Sequence, residues 1–315
     1  MNRISAFTPS PLSGTPAEAV EETLACVLSF NASDPSGSGG IASDALVIAS
    51  IGAHVLPVVT GAYIRDTRET FGHVAFDDTA IAEQARLIAE DIPVQTIKVG
   101  FLGSPEAVSA VAAFAADYAD LPLIAYMPDL SWWADDAIDA YLDAFAELLL
   151  PQTTVLVGNN STLRHWLLPE SATRRHALPT ALAHAAGEHG VPYVLITGLA
   201  DEAGHLGNVL ASPQAVLCSV SVKRIEATFV GAGDTLSAAL AALLATGSDL
   251  TEAAQEALQY LDHSLDHGFH PGMGHAVADR LFWAQSTSPD DTGAEADPSP
   301  STPTPISISP HDTKH

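Results

Sequence analysis

The chain has 315 residues, with 38 Asp and Glu against 12 Lys and Arg, a formal charge of −26. A field of that sign opposes association with the phosphate backbone of nucleic acids and with anionic lipid, so neither partner fits. Cys26 and Cys218 each sit inside an apolar run and give no disulfide framework or thiolate metal spacing, and no apolar stretch reaches the ~18 residues of a membrane span.

The first 19 residues lack the basic start and continuous apolar stretch of a secretory signal, so a cytoplasmic location is expected, with residues 1–22 a loose leader. Apolar segments then alternate with helical ones. Strands are predicted near residues 24–30, 54–60, 95–99, 122–126, 153–157 and 192–197. Helices are predicted near 40–51, 78–91, 104–119, 135–149, 178–189, 234–245, 251–267 and 274–284. Residues 207–211 and 215–222 read as a late hairpin across the turn at Ser212-Pro213. This rhythm predicts an α/β domain over 23–285, a mostly parallel central sheet with helices on both faces. In the final stretch, 286–315, Pro, Ser and Thr make 17 of 30 residues, and a disordered tail is expected.

Two loops carry chemistry. Thr228-Phe229-Val230-Gly231-Ala232-Gly233-Asp234-Thr235 is a glycine-rich turn opening into an Ala-rich helix. Glycines permit close backbone approach to an anion, and the first helical amides offer unpaired donors and the positive dipole end. Asp234 at that mouth suits a base taking the proton of an attacking hydroxyl, and an acid there also simply stabilises a helix start. The second loop, Asn31-Ala32-Ser33-Asp34-Pro35-Ser36-Gly37-Ser38-Gly39-Gly40, joins the first strand to the first helix. A strand, a Gly/Ser loop and a helix form a ligand cradle at a sheet's carboxyl edge.

These loops, with Gly52-Ala53-His54-Val55, Lys98-Val99-Gly100-Phe101-Leu102 and Gly272-Met273-Gly274-His275, make the stretch Thr23 to Gln285 resemble the ribokinase-like superfamily. Within it the chain is most similar to hydroxymethylpyrimidine/phosphomethylpyrimidine kinases of thiamine synthesis, with pyridoxal kinases as close relatives. The resemblance implies ATP and Mg2+, a small-molecule acceptor and a homodimer as one available assembly. It places Gly231, Ala232, Gly233 and Asp234 at the transferred phosphoryl group. Ala32, Asp34, Gly39, Asp44, Tyr63, Arg65 and Phe101 fall on the acceptor side, and Asn159, Thr197 and Gly198 on the nucleotide side.

Several positions depart from that pattern. Asp234 stands where the pyrimidine kinases usually carry cysteine, and aspartate is the form of sugar and pyridoxal kinases. Gly52 to Pro57 also looks similar to the pyridoxal enzymes. Arg65 replaces a glutamine, which favours a ligand with its own phosphate or carboxylate. Asn159-Asn160-Ser161-Thr162 lacks the glutamate that helps hold magnesium, Thr197-Gly198-Leu199 lacks a lysine, and Met127-Pro128 replaces an Asp-Pro pair, with Asp129 one step on. These losses keep a non-catalytic ligand-binding relative among the readings. His263, His267, His270 and His275 suggest a metal cluster only superficially, since no carboxylate signature accompanies them. Trp132-Trp133 reads as packing.

Overall fold

The computed structural model describes residues 24–133, 137–168, 178–200 and 204–284. The leader over 1–22 and the tail over 286–315 lie outside the described residues. Everything described up to Phe282 belongs to one compact unit.

The chain runs β1 (Cys26–Ser33), α1 (Gly40–Ile51), β2 (His54–Arg65), β3 (Thr70–Ala75), α2 (Asp78–Asp91), β4 (Thr96–Val99), α3 (Pro105–Asp117), β5 (Leu123–Met127) and α4 (Ala137–Ala144). It continues through β6 (Val155–Asn159), α5 (Asn160–Leu167), α6 (Pro179–Glu188), β7 (Tyr193–Ala200), β8 (His205–Ala211), β9 (Val216–Lys223), β10 (Phe229–Val230), α7 (Ala232–Ala245), α8 (Leu250–Asp266) and β11 (Ala276–Val277). Among the described residues one sheet has nine strands in the order β3-β2-β1-β4-β5-β6-β7-β8-β9. The run from β2 to β7 is parallel, while β3, β8 and β9 are antiparallel additions at the two edges.

Alternation along the buried strands builds two cores. Val27 and Ile124 face one cluster with Val47 and Ile48 of α1, Leu236 and Leu240 of α7, and Leu258 of α8. Their neighbours Leu28, Phe30 and Leu123 face the other, with Ile81 of α2, Val111 of α3 and Tyr141 of α4. Strands buried on both faces are what a parallel sheet between helical layers requires. The helices start at local signals: Asp77 caps α2 through the Thr79 and Ala80 amides, Ser104 caps α3 through Ala107, and Asp249 caps α8 through Thr251 and Glu252.

Three expectations change. The helix expected over 274–284 is a short strand, β11, paired in parallel with β10, followed by a 3₁₀ turn over Phe282–Ala284. Its backbone is claimed by other segments, since the Ala276 amide donates to the Thr228 carbonyl at 2.9 Å and Val277 exchanges bonds with Phe269. The segment between β2 and α2, where no element is expected from the sequence, holds the edge strand β3. Asn159 caps a further helix, α5, through the Ser161 amide at 2.9 Å.

Candidate active site

The site lies at the carboxyl edge of the parallel strands, where the loop after β1 meets the start of α7. In that loop Asp34 acts as a hub. Its Oδ1 accepts from the Ser36 amide (2.9 Å) and hydroxyl (2.6 Å), and its Oδ2 from the Ser38 hydroxyl (3.0 Å) and the Gly39 amide (2.9 Å). Gly40 then turns with φ +64°, where a Cβ would lie 2.3 Å from the Ala32 carbonyl oxygen.

The glycine turn faces this loop. Gly231 adopts φ +82°, and a Cβ there would fall 1.4 Å from the Ser38 carbonyl oxygen, so only glycine lets the two loops touch. No side chain caps α7. Its first amides have no carbonyl four residues back and remain available to an anion. Arg280, buried at 4% exposure, locks the arrangement. It donates to Thr235 Oγ1 at 3.1 Å, to the Gly37 carbonyl at 3.2 Å and to the Ser38 carbonyl.

Asp234 sits on the first turn of α7 with both oxygens engaged. Oδ1 accepts from Lys98 Nζ at 2.9 Å and Asn31 Nδ2 at 2.8 Å, and Oδ2 from the Gly40 amide at 3.1 Å. Burial pushes this carboxyl up, but the Lys98 ammonium and the hydrogen bonds from Lys98, Gly40 and Asn31 outweigh it and hold Asp234 below the usual carboxylate range. Lys98 also pairs with Asp44, 2.9 Å from each of its oxygens. Burial pushes the ammonium down, yet Asp44 and Asp234 together raise it above the ordinary lysine value. Asp44 is raised, first by burial and further by Asp234, with Lys98 compensating only in part.

Two cavities open around this centre. The first, called the acceptor-side cavity after the role expected of Tyr63 and Arg65, is about 560 Å³ and is lined by Asp34, Gly39, Tyr63, Arg65, Gly231 and Asp234 together with Tyr126, Asp129, Trp132 and His275. Arg65 reaches it from β2 with a guanidinium nitrogen 3.6 Å from Asp34 Oδ2. The hairpin turn after β2 is tied to the late glycine segment: the Gly274 amide donates to Thr67 Oγ1 at 3.1 Å and the His275 amide to the Thr67 carbonyl at 2.8 Å. A smaller cavity of about 190 Å³, called the nucleotide-side cavity after the role expected of Asn159 and Thr197, takes in those two residues with Gly231, Ala232 and Gly233. Tyr126 borders both, against Gly233, where a Cβ would come within 2.3 Å of its ring.

Four expected site residues are placed differently. Asp44 is fully buried under Lys98, Ser29 and Asn31 and does not line the acceptor cavity. Ala32 is buried behind Gly40, and Phe101 stacks beneath Tyr63 with ring centroids 5.1 Å apart. Gly198 lies behind the nucleotide-side cavity, at φ +76°, with its amide donating to Asn208 Oδ1 at 3.2 Å. Asp44, on the inner face of α1, points under the sheet edge to Lys98, and Ala32 and Phe101 close the ends of β1 and β4 against the core.

Lys98 belongs to a motif of the family resemblance that implies no role for it, although a lysine inside the buried four-residue strand Thr96–Val99 is itself a signal. Asn31 carries no such signal. Its amide bridges the carboxylates of Asp44 and Asp234 while its Oδ1 accepts from the Ala32 and Phe101 amides at 3.0 and 3.1 Å. Arg280 was hidden in the segment expected to be helical. Of the four histidines, His267 stacks on Phe282 and His263 packs against the same ring at a tilt, each with centroids 5.6 Å away, and among the described residues no group of three His, Cys, Asp or Glu gathers to hold a metal.

A family model described as phosphomethylpyrimidine kinase matches residues 34–279. The chain belongs to the phosphomethylpyrimidine kinase family. It is a small-molecule kinase of that family, on a ribokinase-like fold. It is 28% identical over 264 residues to the hydroxymethylpyrimidine/phosphomethylpyrimidine kinase of Mycobacterium tuberculosis, covering 81% of this chain and 94% of that protein. It is 27% identical over 285 residues to the thiamine biosynthesis multifunctional protein ThiED of Corynebacterium glutamicum, covering 84% of this chain but only 36% of that longer protein. Among solved structures, the pyridoxal kinase of Bacillus subtilis in its ADP complex superposes with a TM-score of 0.72 at 21% identity, over 83% of this chain and 99% of that one. No helix among the described residues is long and apolar enough to cross a membrane.

Proposed function

We propose that this phosphomethylpyrimidine kinase family member transfers the γ-phosphoryl group of ATP to the hydroxymethyl group of an aminopyrimidine, or to the phosphate already on it. The observation that carries the reading is the place of Asp234. Its carboxylate borders the acceptor cavity while the neighbouring uncapped amides of α7 border the nucleotide-side cavity. The bond between the β-γ bridging oxygen and the γ-phosphorus breaks and one from the acceptor oxygen forms, with ADP leaving. Asp234 receives the hydroxyl proton, and the Ala232 and Gly233 amides stabilise charge on the group in flight.

The nucleotide fits the uncapped helix start and the glycine turn beside it. For magnesium the described residues offer no protein-only cage. In this reading the ion arrives chelated by the phosphates, the habit of a cation that gives up water reluctantly. Lys98 and Arg280 hold the carboxylate and the acceptor loop in place.

Aspartate at position 234, the form seen in pyridoxal kinases, supports pyridoxal as the second acceptor to test. A competition assay offering hydroxymethylpyrimidine and pyridoxal with Mg-ATP decides between them, and turnover of neither rejects both in favour of a ligand-binding protein. Sedimentation on the same sample tests the homodimer that the family resemblance implies.

A further inference from the structure

Lys98 contacts two carboxylates at full burial, and it touches neither the acceptor nor the nucleotide in the proposed reaction. Its ammonium lies 2.9 Å from both oxygens of Asp44 and 2.9 Å from Oδ1 of Asp234, and the side chains of Lys98 and Asp44 are each 0% exposed. Asn31 reinforces the bridge by donating to the same Oδ1 of Asp234 and to Asp44 Oδ2. The two oxygens of Asp234 therefore differ. Oδ1 is held by a cation and an amide, whereas Oδ2 accepts from the Gly40 amide and faces Gly39, where a Cβ would meet it at 2.8 Å.

We propose that Lys98, braced by Asp44, is a positioning residue: it clamps one oxygen of Asp234 so that only Oδ2 is presented to the acceptor hydroxyl. The inference rests on Asp234 being the base of the proposed transfer. A lysine held by Asp44 on one side cannot swing into the cavity, and its charge is shared between two anions.

Other charged or titratable groups face the same carboxylate. Arg65 from β2 and Arg280 from the closing segment supply positive charge, Asp34 from the acceptor loop supplies negative charge, and Tyr63 and Tyr126 remain neutral because burial and Asp234 raise them. None of these changes in the variants below, so they set a common background.

The clamp predicts that loss of the ammonium, and not of its brace, raises the Asp234 titration. Removing the ammonium in Lys98→Met leaves Asp234 with the Asn31 and Gly40 amides alone, and it should take up its proton about one to three pH units higher than in the unaltered protein. Asp44, raised where Asp234 is lowered, is already protonated when Asp234 titrates, so the neutral Asp44→Asn should leave the Asp234 titration nearly unmoved. The titration is followed by carbon-13 NMR of the Asp234 carboxyl in the ligand-free protein, with Asp234→Asn assigning the signal. The acid limb of single-turnover phosphoryl transfer should move with it.

A loss of packing alone would not single out the lysine variant. If both shift the same way, or neither moves the Asp234 signal, the clamp is rejected. Where Lys98→Met does not fold, Lys98→Gln takes its place, with an unmoved or lowered Asp234 titration overturning the idea. Because the NMR reading needs no substrate, a protein that phosphorylates nothing would reject the reaction while still reporting on Lys98.

Discussion

The guanidinium of Arg280 donates to the carbonyl of Ser38 across a sequence separation of 242 residues. With its bonds to Gly37 and Thr235, this one side chain fixes the acceptor loop against the first turn of α7. Arg280→Ala should raise the KM for the acceptor at least tenfold and lower the melting temperature, since two buried carbonyls lose a charged donor at about 1–3 kcal/mol each. Arg280→Lys should not restore either property, because a single ammonium cannot fork between three acceptors. Acceptor kinetics beside thermal unfolding would show it.

Asp234→Asn separates the two phosphorylations. A hydroxyl must lose a proton to become a nucleophile, whereas a phosphate monoester, with a second pKa near ~6, is already an oxyanion at neutral pH. The kcat for hydroxymethylpyrimidine should fall by roughly 10²–10⁴-fold, and that for its monophosphate by clearly less, with nucleotide affinity kept. Equal losses on both acceptors would reject the role of base.

Gly39 tests space without strain. Its φ is −144°, open to any residue, so Gly39→Ala should fold normally. The added methyl would nevertheless lie 2.8 Å from Asp234 Oδ2, and kcat should drop by an order of magnitude or more. Gly231→Ala adds a left-handed φ and a clash with the Ser38 carbonyl, so its loss should appear in the melting temperature as well.

Arg65 lines the acceptor cavity with 13% of its side chain exposed. Arg65→Gln should raise the KM of a phosphorylated acceptor by about 10–100-fold, the worth of a charged hydrogen bond, and leave the unphosphorylated one nearly unchanged. Paired Michaelis curves at fixed Mg-ATP measure the split.

The buried charges also set the pH range of stability. Asp234, depressed in the fold, contributes stability above the unfolded carboxyl value near ~3.9 that is lost as pH falls through its folded value. Lys98, raised in the fold, contributes stability below the unfolded value near ~10.4 that is lost as pH climbs through its folded one. Asp44 runs the other way: being raised, it costs stability above about 3.9 and less below. Urea unfolding should give a plateau through neutral pH, and Lys98→Met should lower it by about 3–5 kcal/mol by stranding two buried carboxylates.

The layered sheet was legible because its signals are local. Apolar runs such as Cys26 to Phe30, caps such as Asp77 and Ser104, and the Gly231 to Asp234 turn each declare themselves within a few residues. Periodicity misled at 274–284, where helical spacing was overruled by pairing with Phe229 and Val230. Strand β3 escaped because Phe71 and Val74, its large apolar residues, point to solvent and show no buried pattern.

The sequence by itself determined the fold, the family resemblance and the two loops that meet at the site, since composition, turn glycines and strand-helix rhythm are written along the chain. Only the tertiary structure decided which carboxylate faces the cavity. Asp44 and Asp234 look alike in sequence, yet Lys98, 54 residues from one and 136 from the other, buries the first and aims the second. Such a choice depends on which strand ends the topology brings together, because a buried charge is tolerated only where distant partners converge on it.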